Sequence, residues 1–559
     1  MRKRNFYKIS SCICIFILFA SLLGGCAQKK NITSMKAVNE GPLSVIDDKY
    51  RTFYEVFLYS YYDSNRDGIG DIKGLIQKLD YLNDGNAKTD SDLGVNGIWL
   101  MPIMPSDSYH KYDVKDYEAI DPSYGTLTDF KTLVKDCHKR GIHLIIDMVM
   151  NHTSNQHPWF VKACDYLENL NGKEPSKEEC PYVSYYNFSK QKVNNTYYSV
   201  GNSGWYYEGA FSQNMPDLNL EDSGVRNEFS NIVDFWLNLG VDGFRMDAAG
   251  EYFSGNDVKN IETLSWFHQM VQQKDKNAYI VAEVWQGMDT YQKYYQSKID
   301  SCFNFAFANS DGVIADTLKR TKGYTASSYA KSVVNAQKAF LKNSNTAIDA
   351  PFYTNHDMGR SAGYYSGDTA EQKVKIAGAM NLFMSGNAFL YYGEELGMKG
   401  AGKDENKRAP MYWTSDKKAK GMCVGPPGMD HFDMLYPDLK IQKKDSNSIY
   451  NFYKQTILLR NRYPQIARGK ESFLVKMSDD DVCTIGKTYK KSSIAIVYNL
   501  SEKTKTVTLN KKELKKLKIQ SPSIGGMLLS KKGAVSMNTD GNKQTITLPS
   551  YSAVILKSK

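Results

Sequence analysis

At 559 residues, 42% hydrophobic and 24% charged, the chain is too long for one ordinary domain and too apolar to be disordered. The formal charge is +10, and removing the four positives of the leader (Arg2, Lys3, Arg4, Lys8) leaves about +6. The lysines look scattered along the sequence, which argues against nucleic acid as a partner. The 39 tyrosines suit flat apolar ligands such as sugar rings, and equally a β-rich core.

The basic start is followed by an apolar run, Ile9 to Leu23, too short for a stable membrane span. It ends in Leu23-Gly24-Gly25-Cys26, which resembles the lipobox of bacterial lipoproteins. That resemblance implies a signal peptide over 1–25, a lipid on Cys26, and an extracytoplasmic, membrane-anchored protein. An ordinary cleaved signal peptide is the plainer alternative. The polar stretch from Ala27 to Asn39 reads as a flexible tether, placed over 26–44. Six cysteines beyond Cys26 are dispersed without metal-ligand spacing; Cys164 and Cys180 would pair or remain free thiols.

From Tyr54 short apolar runs alternate with amphipathic stretches, the pattern of repeated β/α units. Strands are expected near Tyr54–Leu58, Gly97–Leu100, His143–Met148, Val241–Met246, Tyr279–Glu283, Cys302–Phe305, Ala350–Tyr353 and Ala388–Tyr391. Eight such strands close naturally as a (β/α)8 TIM barrel, with functional groups at the strands' C-terminal ends. The barrel takes residues 45–150 and 225–469. The long third connection, 151–224, reads as an inserted small domain. Beyond Gly469 the alternation in Ser493–Tyr498 and Thr545–Leu548 gives an antiparallel β-sandwich over 470–559.

Candidate chemistry follows the strands. After the first come Asp63, Asn65, Asp67, Ile69 and Asp71, oxygen donors at alternate positions around a glycine turn, suited to a hard cation such as Ca²⁺. An Asx-rich turn is the structural alternative. After the second, Tyr112 offers a face for a pyranose ring and His110 a donor for its hydroxyls. The third strand ends in Asp147, Asn151 and His152. In the stretch Gly240 to Gly250, Arg245 and Asp247 project from one face of a strand, and Gly243 permits another backbone to approach. A guanidinium beside a carboxylate favours the ionised, nucleophilic form, although such a pair alone would equally suit a structural ion pair. Glu283 ends the fifth strand beside Trp285, an apolar setting that would favour a protonated general acid. The seventh leads into His356 and Asp357, and Arg360 joins them as a substrate-binding candidate. Asp247, Glu283 and Asp357 thus converge on one mouth, and paired carboxyl groups held in opposite protonation states are the machinery of glycoside cleavage.

From about Val45 onward the chain resembles the α-amylase family of glycoside hydrolases (family 13). The matching motifs, in the family's order, are DMVMNH (147–152), MPDLN (215–219), GFRMDAA (243–249), VAEVW (281–285), TNHD (354–357) and GNAFLYYGEELGM (386–398). The resemblance implies Asp247 as nucleophile, Glu283 as acid/base and Asp357 as transition-state stabiliser. Arg245, His152, His356 and Tyr112 would line the subsite of the cleaved sugar, and Asp63, Asn65, Asp67, the Ile69 carbonyl and Asp71 would hold Ca²⁺. MPDLN resembles the group between oligo-1,6-glucosidases and neopullulanases, and Ala248 resembles members that cleave α-1,4 bonds. Tyr109, where exo-acting members usually carry Asp, points to endo action or release of short oligomers. Gly250-Glu251, where Lys-His is common, leaves a second, inter-domain calcium without its His carbonyl. The implied activity is α-glucan hydrolysis by a monomer. An α-glucosidase, a transglycosylase or a non-catalytic glucan-binding lipoprotein would use the same frame.

Overall fold

The computed structural model describes residues 30–33, 43, 46–473, 479–541 and 543–559. The expected signal peptide and Cys26 lie outside the described residues. Seven parallel strands make one curled sheet, in the spatial order Ala388–Tyr391, Thr52–Val56, Gly97–Leu100, His143–Met148, Gly243–Met246, Tyr279–Ala282 and Ser301–Cys302. Its two edges meet through residues 350–352, where Phe303 bridges Ala350 and Phe352 bridges Phe389, both in parallel. The eight-stranded barrel is thereby closed. The expected seventh strand, Ala350–Tyr353, is reduced to these two bridges. Pro351 has no N–H to give a ladder, although its carbonyl still accepts from Phe389 N at 2.8 Å.

Three strands lie where expected: Gly97–Leu100, His143–Met148 and Ala388–Tyr391. The first is displaced to Thr52–Val56 because the chain turns into a 3-10 helix at Leu58–Ser60, its Phe57 carbonyl accepting from Ser60 N. The fourth begins only at Gly243, whose φ is +150°. A Cβ there would sit 2.0 Å from the Tyr279 carbonyl oxygen, so the close backbone approach expected of this glycine is real.

Phe53, Trp99, Ile145, Tyr279, Val281, Phe303, Phe352 and Phe389 pack together as the barrel's interior. Alternate residues such as Tyr54, Ile98, Ile146 and Phe244 belong to the larger core shared with the surrounding helices. The two-residue period that puts Phe53, Ile145, Gly243 and Val281 inside also puts Glu55, Asp147, Arg245 and Glu283 inside, one layer nearer the C-terminal mouth.

Between the third and fourth strands the chain builds a small domain with a helix at Pro158–Glu168 and a three-stranded sheet. It returns to the barrel through an antiparallel bridge between His152 and Asp217. Cys164 and Cys180 within it are both free thiols.

The C-terminal region forms two antiparallel sheets. One orders Lys470–Phe473, Val482–Tyr489, Ser492–Asn499, Ser552–Ser558 and Pro522–Leu529; the other orders Lys30–Ile32, Val535–Asp540, Lys543–Leu548 and Lys505–Asn510. The first strand of the second sheet corrects the reading of 26–44 as tether throughout. Ile32 packs against the sandwich core, and that apolar contact gives this short segment a reason to pair.

Candidate active site

The barrel mouth is organised by one guanidinium. Arg245 is buried; its Nη1 donates to Asp247 Oδ1 at 2.5 Å and Asp147 Oδ1 at 2.8 Å, and its Nη2 lies 2.9 Å from Glu283 Oε1. Trp99 Nε1 and the Tyr112 hydroxyl donate to Asp147 Oδ2 at 3.3 and 3.1 Å. One cation thus faces three carboxyl groups. Burial pushes Asp147 up to about 7 against the pull of Arg245. Glu283 is also shifted upward, by burial first, with Asp247 and Asp357 adding to it and Arg245 opposing. Trp285 is not the packing partner expected of that acid: it is 51% exposed and stacks on Phe305.

Between nucleophile candidate and acid candidate the backbone itself makes a contact. Ala248 sits at φ +45°, a left-handed conformation costing a non-glycine residue roughly 1–2 kcal/mol. Its N–H donates to Glu283 Oε2 at 3.0 Å. The strained turn therefore ties Asp247 to Glu283 independently of Arg245.

The third acid is held by two cations. His356 Nε2 lies 2.9 Å from Asp357 Oδ2, and Arg408 Nη2 donates to Asp357 Oδ1 at 2.8 Å. These charges outweigh burial and hold the Asp357 carboxyl well below the usual carboxylate range. His356 in turn is clamped from behind, its Nδ1 2.6 Å from Glu55 Oε1, and stacks on Tyr112 with ring centres 5.6 Å apart. Burial alone would lower His356, but Asp357 and Glu55 raise it to about 9, so it is a cation at neutral pH.

His152 is buried, shifted downward by that burial and so neutral, and its Nε2 has no hydrogen-bond partner among the described residues. His110 lies beside Tyr112, with burial lowering it to about 4. Arg360 is placed differently from the others. Its guanidinium donates to the carbonyls of Lys407 and Tyr392 and stacks on Tyr391 and Tyr392, as a brace under the loop. The guanidinium at Asp357 belongs to Arg408, which also donates to the Tyr109 hydroxyl at 3.2 Å. Arg408 carries no periodic signal in its loop and was not legible. Glu55 had one, a lone charge within the apolar strand TFYEV.

In the loop after the first strand, Asp63 Oδ1 accepts from Asn65 N and Arg66 N, and Oδ2 from Gly68 N. Asp71 caps the helix Ile72–Leu82 through Gly74 N. Among the described residues no three acids, histidines or cysteines converge as a ready-made metal cage. The donors are all oxygen, from Asp63, Asn65, Asp67, Asp71 and the Ile69 carbonyl, a set whose chemistry fits a hard divalent cation. A cavity of about 520 Å³ opens at the opposite end of the barrel, among Tyr50, Arg51, Arg140, His143 and Arg468, and includes none of the expected site residues.

Comparison with known proteins gives the family. The sequence profile described as "Alpha amylase, catalytic domain" matches residues 55–469. The chain is 34% identical over 511 residues to "Alpha-amylase 3" of Dictyoglomus thermophilum, covering 91% of this chain and 93% of that one. It is 27% identical over 537 residues to an oligo-1,6-glucosidase of Parageobacillus thermoglucosidasius, covering 82% and 91%. Among solved structures, Eubacterium rectale Amy13B superposes with a TM-score of 0.88 at 47% identity, covering 94% of this chain and 99% of that one. An α-amylase from H. orenii follows at 0.79 and 34%, covering 92% and 100%. The chain belongs to the α-amylase family.

Proposed function

We propose that the protein hydrolyses α-1,4-glucosidic bonds in starch, maltodextrins and related α-glucans with retention, through a covalent glucosyl-Asp247 intermediate. The observation that carries this reading is the fork of Arg245, which holds Asp247 Oδ1 on one terminal nitrogen and Glu283 Oε1 on the other. Carboxyl groups sharing one guanidinium are near neighbours. Retaining glycosidases need about 5–5.5 Å between them, and inverting ones roughly 6.5–9.5 Å to admit a water.

In the first step an Asp247 oxygen attacks the anomeric carbon while protonated Glu283 gives its proton to the departing glycosidic oxygen. Burial, which favours the protonated form of Glu283, suits that role. In the second step ionised Glu283 takes a proton from water, whose oxygen attacks the same carbon and releases Asp247. Asp357, kept ionised by His356 and Arg408, supplies negative charge to the oxocarbenium-like transition state. The unpartnered His152 Nε2, with Tyr112 and His356, is suited to the sugar's hydroxyls.

The loop 63–71 is read as a structural Ca²⁺ site and Cys26 as a lipid anchor on the extracytoplasmic face. A second reading, α-glucosidase or transglycosylase action with the same residues, is favoured by relatives named oligo-1,6-glucosidase and trehalose synthase/amylase. A time course on maltoheptaose and pullulan separates them. Mixed short maltooligosaccharides at early times support endo hydrolysis. Glucose alone, or products longer than the substrate, moves the reading to the second. No product from either substrate overturns both and leaves a glucan-binding protein.

A further inference from the structure

The lysines that look scattered along the sequence are not scattered in space. Residues 501–559 contain twelve lysines, no arginine and three acids (Glu502, Glu513, Asp540), a net charge of +9. The sandwich topology sorts them. The strand Lys505–Asn510 runs into the helix Lys511–Lys516, which buries Leu514 on the core and leaves Lys511, Lys512, Lys515 and Lys516 exposed. Lys518 follows, and its carbonyl accepts from Ser558 Oγ, which brings the exposed Lys557 and Lys559 to the same end. Register continues the pattern. Asn510 pairs with Lys543, and Lys557 pairs with Ile494, next to the hairpin tip at Lys490 and Lys491.

One end of the sandwich therefore carries ten exposed lysines. Two acids lie beside them: Glu513, which closes the capping box with Asn510, and Asp540, opposite Lys543 in the strand register. Of the other lysines of this domain, Lys505 pairs with Asp479 and Asp481 and Lys487 with Glu471, while Lys470, Lys503, Lys531 and Lys532 are exposed away from this group of ten.

A separate observation points to the same end. The strand Lys30–Ile32 runs antiparallel to Val535–Asp540, with Lys30 opposite Met537 and Ile32 opposite Val535. Lys30 thus lies on the strand that runs on to Asp540, at the lysine-bearing end. Four residues of chain reach at most about 14 Å, so a lipid on Cys26 would attach within about that distance of Lys30. This end is also remote from the catalytic mouth. Gln465 and Arg468 connect it to Ser492 and to Asp48, and Asp48 precedes the first barrel strand, at the barrel's N-terminal floor.

We propose that this basic end of the C-terminal sandwich is a docking surface for an anionic phospholipid bilayer, holding the barrel floor against the membrane and the catalytic mouth towards the medium. The proposal builds on the reading of Cys26 as a lipid anchor, and adds a second, electrostatic contact that orients the protein on the bilayer surface. An unanchored chain starting at Ala27, which keeps every described residue, provides the test. It should co-sediment with phosphatidylglycerol-containing vesicles at low salt, and not with phosphatidylcholine vesicles or at high salt. Changing Lys511, Lys512, Lys515 and Lys516 to Gln should weaken the partition by about fivefold per lysine removed. The same change at Lys331, Lys338 and Lys342, on the helix Ala326–Asn343 of the barrel, should leave it unchanged. Maltoheptaose turnover should be equal in all three proteins. No binding to anionic vesicles overturns the proposal, as does equal loss in both lysine variants. The anchor reading fails separately, if cells expressing Cys26→Ser keep the protein in the membrane fraction through a high-salt wash while processing is normal.

Discussion

Replacing Glu55 by Gln probes a residue that touches no substrate in the proposed scheme yet sets the charge of one that does. Glu55 and Asp357 flank the His356 ring and together raise it from 6.5 to about 9. At 1.36 kcal/mol per unit, that shift corresponds to about 3 kcal/mol of stability. Because the folded value is the higher one, this contribution is complete below pH 6.5, declines between 6.5 and about 9, and is gone above 9. Gln keeps the shape and an acceptor oxygen but removes one of the two negative charges. If the two carboxylates share the shift about equally, His356 falls by roughly one unit. The His356 ring should then titrate near pH 8 instead of near pH 9. The thermal midpoint should drop at pH 7 and converge with that of the parent above pH 9. NMR of the His356 ring against pH, with parallel melts at pH 7 and 9.5, reads both, independently of the alkaline limb of kcat/KM, which loss of the Glu283 proton sets. An unmoved His356 titration in a folded variant would refute the assignment of Glu55 as the group that holds His356 cationic beside Asp357.

Other consequences are more direct. Asp247→Asn should lower turnover by at least about 10³-fold while leaving glucan binding intact, measured by single-turnover assay and affinity electrophoresis. Chelation of Ca²⁺ should lower the melting temperature through the 63–71 loop. Calcium at a hundredfold over its Kd would contribute about 2.7 kcal/mol, and readdition should restore the melt. Lys487→Ala should destabilise the junction of barrel and sandwich by about 3–5 kcal/mol, because it strands the buried carboxylate of Glu471; the pair Lys487→Met with Glu471→Leu should recover most of it by calorimetry.

The barrel was legible in the sequence where alternation and length agree, as at His143–Met148 and Ala388–Tyr391. It was less legible where a proline interrupts the ladder, at Pro351, or where an apolar run bends, at Phe57–Leu58. In those places burial continues after the strand has stopped, and periodicity reads burial. At the mouth, the acids at strand ends could be read singly, because a carboxyl group closing an apolar run is conspicuous. Their partners are another matter. Arg408 reaches Asp357 from a long loop whose path only tertiary packing determines, and Arg360, its neighbour in the motif, turns to brace backbone carbonyls instead. The basic end of the sandwich was invisible for a related reason. Its lysines come from two hairpins, a helix and a terminus, and only strand register brings them together.

The central claim is that Asp247 carries the glucosyl group. The most direct measurement is mass spectrometry of the enzyme incubated with 5-fluoro-α-glucosyl fluoride, which slows release of a retaining intermediate. The account predicts one added fluoroglucosyl group per chain, on the peptide containing Asp247, absent from Asp247→Asn. An adduct on another acid, or steady turnover with no adduct and inverted product, would contradict it.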